Sequence, residues 1–307
     1  MSSSATVHQN FKVSAADWNK TSSNYAQNIS KAPMSIPISR LISLLNHHLP
    51  FSSATTILDI GCGPGNGTAA IISTYQDVLP KQSRILATDF SSGMVDIVTR
   101  ARAAKLSELP DIGSTERAVW QKVQPSVMDA TNLSPLPTSS ISHIIANFVL
   151  FMTSSPETAL SEALRVLQPQ GICACSSWAK MQWMELLNLS AQRAFPGFGK
   201  PVPEMPVIAA QWTSAEGVAA LMKQAGFTDV QTEYVEAPMV VADPEGFAKM
   251  FLGSGNPAVT WVTDVLGEEE GREVARVFGE AIKEACERNE GGTYVLAGTA
   301  VLASGRK

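Results

Sequence analysis

One segment constrains this chain more than any other: Thr56-Ile57-Leu58-Asp59-Ile60-Gly61-Cys62-Gly63-Pro64-Gly65-Asn66-Gly67. It is an apolar strand carrying a carboxylate near its end, followed by glycine at every second position. A loop lacking that many side chains lets a ligand approach the main chain, and glycine tolerates the positive φ such a turn needs. Thr56 to Ile60 reads as a buried parallel strand and Thr68 to Tyr75 as the helix that follows. The expected fold is therefore α/β, with the loop at the carboxyl end of a strand, where open sheets bind ligands.

Two ligands compete for such a loop. The nicotinamide-dinucleotide fingerprint wants Gly-x-Gly-x-x-Gly or Ala directly after the strand. Counting from Gly61 puts Asn66 at the third position, and counting from Gly63 puts Thr68 there. Gly65, Gly67 and Ala70 fit the relaxed form but begin too far beyond Ile60 for a tight first turn. A nicotinamide oxidoreductase stays as the weaker rival.

The pattern Asp59-x-Gly61-x-Gly63-x-Gly65 resembles the first motif of S-adenosylmethionine-dependent methyltransferases with a Rossmann-like fold (class I). Later landmarks extend the resemblance. Arg84 to Asp89 is a second apolar strand ending in a carboxylate, about 20 residues past the loop, where a ribose-binding acid belongs. Phe90-Ser91-Ser92-Gly93-Met94 then opens a helix, and the resemblance implies that Phe90 and Met94 flank the adenine. Met128-Asp129, in the segment Val127 to Leu133, resembles the motif whose acid accepts the adenine amino group while the preceding residue packs on the ring. Ile141 to Met152 reads as a fourth strand running into a loop with Asn147 and Phe148, and Ala163 to Ala174 as a helix, a proline-glycine turn and the fifth strand.

The landmarks span residues 55–180. The resemblance implies a seven-stranded, mostly parallel sheet with helices on both faces, an N-terminal helical cap, and insertions after strands five and six. It implies S-adenosyl-L-methionine as cofactor, held by Asp59, Gly61, Cys62, Gly63, Gly65, Asp89, Phe90, Met94, Met128, Asp129, Asn147 and Phe148.

The rest of the chain divides into a tail and helical lid (1–54), the cofactor-binding core (55–179), a cap segment (180–213) and the end of the sheet with a helical insertion (214–307). In the lid, Trp18 and Tyr25 are spaced by seven and share one face of a helix. Ile38, Leu41, Ile42 and Leu45 line a second. Ser214 caps a helix that Gly226 ends. Thr228 to Val235 is expected as strand six and Tyr294 to Val301 as strand seven. Between them, Val274, Val277, Phe278, Ala281, Ile282 and Ala285 form one helical stripe.

At 307 residues the length prior is about two domains, though one sheet with added helices absorbs the chain. A net charge of −5 and no lysine-arginine run make nucleic acid a poor partner. No apolar run is long enough to cross a bilayer, and no secretory signal is visible in Met1 to His8. Four scattered cysteines form no disulfide framework, so a cytoplasmic location is the default. Cys173 and Cys175 point to one face of strand five, but no second pair completes a metal site, and no metal is expected.

No general base stands out. His143 starts strand four, at the sheet end opposite the ligand, and His47 and His48 end a helix on that same side; His8 lies in the tail. Catalysis is then expected to be positional, since the sulfonium methyl is already electrophilic and needs chiefly an aimed nucleophile. That weakly favours a thiol or amine acceptor over a phenol or alcohol, with Asp17, Glu185 or Glu204 as the carboxylates that would reopen the question. Trp18, Tyr25, Phe151, Trp178 and Trp183 are the candidates to line an aromatic pocket for a small, largely apolar acceptor. The layout is similar to enzymes of fungal secondary metabolism, some of which S-methylate dithiols. The chain is expected to act as monomer or homodimer. The alternative is a methyltransferase-like protein that binds the cofactor but acts as a lyase, cyclase or regulatory subunit.

Overall fold

The computed structural model describes residues 14–29, 33–110 and 113–307, so the N-terminal tail and His8 lie outside the described residues. Two helices come first, α1 (Ala15–Ile29) and α2 (Ser35–His48). The apolar stripe of α2, Ile38, Leu41, Ile42 and Leu45, is buried, as its spacing requires. There follow β1 (Thr56–Ile60), α3 (Asn66–Tyr75), β2 (Arg84–Asp89), α4 (Ser92–Glu108), α5 (Thr115–Trp120), β3 (Val123–Val127), β4 (Ile141–Ala146), α6 (Pro156–Val166), β5 (Leu167–Met181) and α7 (Gln182–Ala194). The C-terminal part holds α8 (Ala215–Ala225), β6 (Thr228–Glu236), β7 (Met239–Val241), α9 (Pro244–Gly253), α10 (Thr260–Thr263), α11 (Glu268–Ala285), β8 (Tyr294–Leu296) and β9 (Gly298–Arg306).

The main sheet has seven strands in the order β3-β2-β1-β4-β5-β9-β6. The first five are mutually parallel, and β9 runs antiparallel between β5 and β6. Chain order reverses between β1 and β4, and the crevice beyond the carboxyl ends of strands at such a reversal is where open sheets take ligands. Register then sets the site. Ile60 pairs with Thr88 and Asp89 with Val127, so Gly61, Asp89 and Met128 emerge level with one another.

Every residue of β1 and β4 is buried, because helices cover both faces. Ile57, Ile85, Ile145 and Ile172 pack with α2, α3 and α7 on one face. Leu58, Ile60, Ile144, Cys173 and Cys175 pack with α6 and α8 on the other. Each such isoleucine or leucine contributes roughly 1.5–3 kcal/mol by leaving water. Ser214 accepts the Gly217 N–H at the start of α8, and Gly226, at φ 104°, ends it.

Two expectations need correction. The segment expected as strand seven is split: Tyr294–Leu296 pairs with β7 in a separate two-stranded sheet, and the seventh strand of the main sheet is Gly298–Arg306. The alternating pattern runs through both pieces, but Ala297 donates its N–H to the Gln182 side chain and so interrupts the ladder. Ala285, placed on the buried stripe of α11, is exposed in its last turn, while Val274, Val277, Phe278, Ala281 and Ile282 are buried.

Candidate cofactor and acceptor site

The glycine loop turns sharply after β1. Gly61 sits at φ +61°, and a Cβ there would run into the Val149 side chain. The loop is tied down on both sides: the Cys62 N–H donates to the Thr88 carbonyl (2.9 Å) and the Gly65 N–H to the Cys62 carbonyl (2.9 Å). At Gly67 a Cβ would meet the Asp59 carboxylate at 3.1 Å. That closeness lets α3 start against the acid, whose Oδ2 accepts the Thr68 hydroxyl at 2.7 Å. Burial pushes Asp59 up to about 7 against the pull of Thr68, and the nearby charge of Asp89 adds to the rise.

Asp89 ends β2 with both carboxylate oxygens on backbone donors. Oδ2 accepts the Gly63 N–H (3.0 Å) and Oδ1 the Ser91 N–H (2.9 Å). Its pKa is raised by burial, which these N–H groups oppose. The carboxylate thus joins the glycine loop to the start of α4 and keeps lone pairs for a diol. Asp129, after β3, accepts both the N–H and the hydroxyl of Thr131 at 2.8 Å, which orients it. Met128 is held by its own N–H on the Asp89 carbonyl (2.9 Å).

A cavity of about 250 Å³ opens over these groups. Its wall includes Asp59, Gly61, Cys62, Gly63, Asp89, Phe90, Met94, Met128, Asp129, Asn147 and Phe148, and of the expected cofactor residues Gly65 alone is not on it. Gly65 instead caps α3 at φ 93° with Val98 against it. Cys62 presents a thiol that burial holds well above its usual range, with Asp59 and Asp89 adding to the rise.

The lid half of the wall comes from α1, α2 and the turn after β4. Trp18 and Tyr25 contact edge to face, ring centres 5.0 Å apart, and both reach the cavity. Burial raises the Tyr25 phenol, as does the charge of Asp89. The helix is latched to the cofactor half by Asn19, whose Oδ1 accepts the Ser91 hydroxyl (2.7 Å) and the Gly93 N–H (2.9 Å). Gly93 permits the approach: a Cβ there would lie 2.6 Å from the Ser22 hydroxyl.

Three expected aromatic wall residues lie elsewhere. Trp178 stacks on Phe148 (4.2 Å) and meets Trp183 edge to face (5.2 Å), both tryptophans being core. Phe151 leans on Trp212. Met34, Ile38, Val149, Met152, Thr153 and Ser154 face the cavity instead. Only Ile38 carried a signal in the sequence, and its helical stripe marked it as core.

None of the three acids weighed as bases lines the cavity. Glu185 and Glu204 are exposed, and Asp17 accepts the N–H and hydroxyl of Ser14 in the first turn of α1. His143 is structural. Its ring stacks on Phe51, its Nε2 lies 2.8 Å from the Leu49 carbonyl, and burial lowers it to about 4. Among the described residues no histidine, cysteine or acid cluster has the makings of a metal site, and no helix is long and apolar enough to cross a membrane.

Residues 58–175 match the model of a methyltransferase domain. Methyltransferase ucsB from Acremonium sp. is 27% identical over 292 residues, 95% of each chain. The acetylaranotin bis-thiomethyltransferase of Aspergillus terreus is 28% identical over 58% of this chain and 56% of its own. Among solved structures, phosphoethanolamine N-methyltransferase 2 of Haemonchus contortus, in complex with S-adenosylhomocysteine, superposes with a TM-score of 0.53 at 13% identity, over 96% of this chain and 60% of that one. A buried acid beside a glycine turn, a second acid at the end of β2 level with that turn and a third after β3 fit an adenosyl group whose amino-acid end would meet bare backbone. The chain carries a methyltransferase domain on a Rossmann-like sheet and works as an S-adenosylmethionine-dependent methyltransferase.

Proposed function

We propose that the enzyme methylates a thiol on a small, largely apolar, uncharged molecule of secondary metabolism. The observation that carries this is the cavity wall. Trp18, Tyr25, Met34, Ile38, Val149 and Met152 line it, and no Lys, Arg or His is among the described wall residues. An acceptor with a permanent anionic group, such as a phosphate or carboxylate, would enter with no cation to meet it, beside three acids, which is strongly unfavourable in a desolvated site.

In this reading Asp89 accepts the ribose hydroxyls, Asp129 the adenine amino group, and Phe90, Met94 and Met128 enclose the ring. The N–H groups of the loop and of the α3 N-terminus face the methionine carboxylate. When bound, the cofactor supplies an electrophilic methyl; the protein aims the acceptor and excludes water. The wall residues would hold the acceptor sulfur in line with that methyl, its proton passing to solvent as the acceptor enters. A thiol, whose ordinary pKa is near 8.5, gives up its proton more readily than a phenol and so asks less of a protein base. The A. terreus relative, named for thiomethyl transfer, supports sulfur.

Incubation with methyl-labelled cofactor and a size-matched thiol, amine and phenol tests the reading. Label is expected in the thioether, and Asp17→Asn, Glu185→Gln and Glu204→Gln should each keep turnover within about threefold. Label confined to the phenol ether, or a collapse in one of those variants, contradicts it. Bound cofactor with no label transferred to any acceptor would favour a cyclase, lyase or regulatory role instead.

A further inference from the structure

Phe148 follows β4 at φ +52°, a conformation that side-chain-bearing residues rarely adopt. Two contacts hold it there: its ring stacks on Trp178, and its N–H donates to the Ser176 hydroxyl at 2.9 Å. Ser176 lies on β5 and is 1% exposed. Its hydroxyl has one proton, which goes to Asn147 Oδ1 at 2.8 Å. Turning the Asn147 amide over would give Ser176 a second donor and leave its own proton buried without an acceptor. The amide therefore keeps its oxygen toward Ser176 and its NH2 for the cavity that Asn147 lines.

Sheet order says which end of the cavity this is. Asp89 and Asp129 follow β2 and β3, on one side of β1; Asn147 follows β4, on the other. With the nucleoside over β2 and β3, the reacting methyl comes to the β1–β4 side. We propose that Ser176 fixes Asn147 as a hydrogen-bond donor at the reactive end, where the amide holds a carbonyl oxygen of the methyl acceptor. This rests on the cofactor placement and the small-molecule acceptor of the proposed function. It adds a specificity: an acceptor with a carbonyl beside its nucleophile is preferred. Ser176 is a positioning residue, acting through Asn147 and the Phe148 backbone.

The test uses two probes of similar size, 2-mercaptoacetanilide, with a carbonyl next to the thiol-bearing carbon, and 3-phenylpropanethiol, without one. Their Kd values on the adenosylhomocysteine-loaded enzyme are measured by calorimetry. The parent should bind the carbonyl thiol about tenfold more tightly. Asn147→Ala should bring the two within about twofold, Ser176→Ala should lose part of the preference, and Ser176→Thr should restore it. The parent's preference is read without any variant, so a misfolded variant does not hide it. Equal binding by the parent overturns the proposal. So does an Asn147→Ala enzyme that weakens adenosylhomocysteine more than the carbonyl thiol, since the amide would then serve the cofactor. A preserved preference without methyl transfer to either probe would leave this inference standing and remove the thiol reading.

Discussion

The two halves of the cavity are built on different rules. On the cofactor half, the polar groups follow the ends of adjacent parallel strands, and register alone brings Gly61, Asp89 and Met128 level. Each is then fixed by backbone: Asp89 by the Gly63 and Ser91 N–H groups, Met128 by the Asp89 carbonyl. The other half, which the proposed function gives to the acceptor, is made from α1, α2 and the turn after β4, joined to the first through the Asn19 side chain and the Gly61–Val149 contact. Rigid backbone geometry suits a ligand that never changes. Packed side chains on helices suit one that differs between enzymes.

The largest effect that would break this contrast is at Asp89. In the proposed placement, replacing it with alanine removes two charge-assisted bonds to the ribose as well as the anchors to the Gly63 and Ser91 N–H groups, and adenosylhomocysteine affinity should fall at least about 100-fold by calorimetry. An affinity within a few-fold of the parent would mean that the cofactor half is not organised around the strand ends.

The second effect sharpens the contrast through pH. Asp59 titrates at about 7 in the folded chain against an ordinary 3.8, so between those values the folded form holds a proton that the unfolded form has lost. Its stabilising contribution is complete below about pH 4, declines as pH rises toward 7, and is flat above. The stability of the ligand-free parent relative to Asp59→Asn should therefore fall over that window, by on the order of 2–4 kcal/mol. Chemical denaturation of both proteins from pH 4 to 8 reads the difference, and a rise with pH would contradict a buried, desolvated acid.

The smallest effect concerns the latch. Asn19→Ala removes the acceptor for the Ser91 hydroxyl and the Gly93 N–H, and should cost about 1 kcal/mol of stability. It should also loosen α1, seen as faster amide exchange in Ala15–Ile29 than in β1. Unchanged exchange in α1 would show that its packing, rather than Asn19, carries the attachment.

The same contrast explains what the sequence made legible. Repeated strand–turn–helix units put Asp59, Asp89 and Asp129 at strand ends in a readable order, because strand periodicity and turn chemistry are local. The acceptor wall has no such period. Trp178 and Trp183 have the size for a pocket, but composition does not say which way a ring points, and both turn into the core, Trp178 against Phe148 and Trp183 against Trp178. Met34 and Thr153 carry no pattern that separates a wall from a turn. Ser176 was invisible for a related reason: its partner, Asn147, lies 29 residues away, just past the end of the neighbouring strand. Tyr294 to Val301 misled because one alternating run serves two sheets.

The most direct test is a crystal structure of the enzyme with adenosylhomocysteine. The adenine should lie between Phe90 and Met128 with its ribose on Asp89, and the sulfur should lie beside Asn147 and Phe148, facing Trp18 and Tyr25. A sulfur found over the β2–β3 side, or a nucleoside bound away from Asp89, would contradict the division of the cavity on which the account is built.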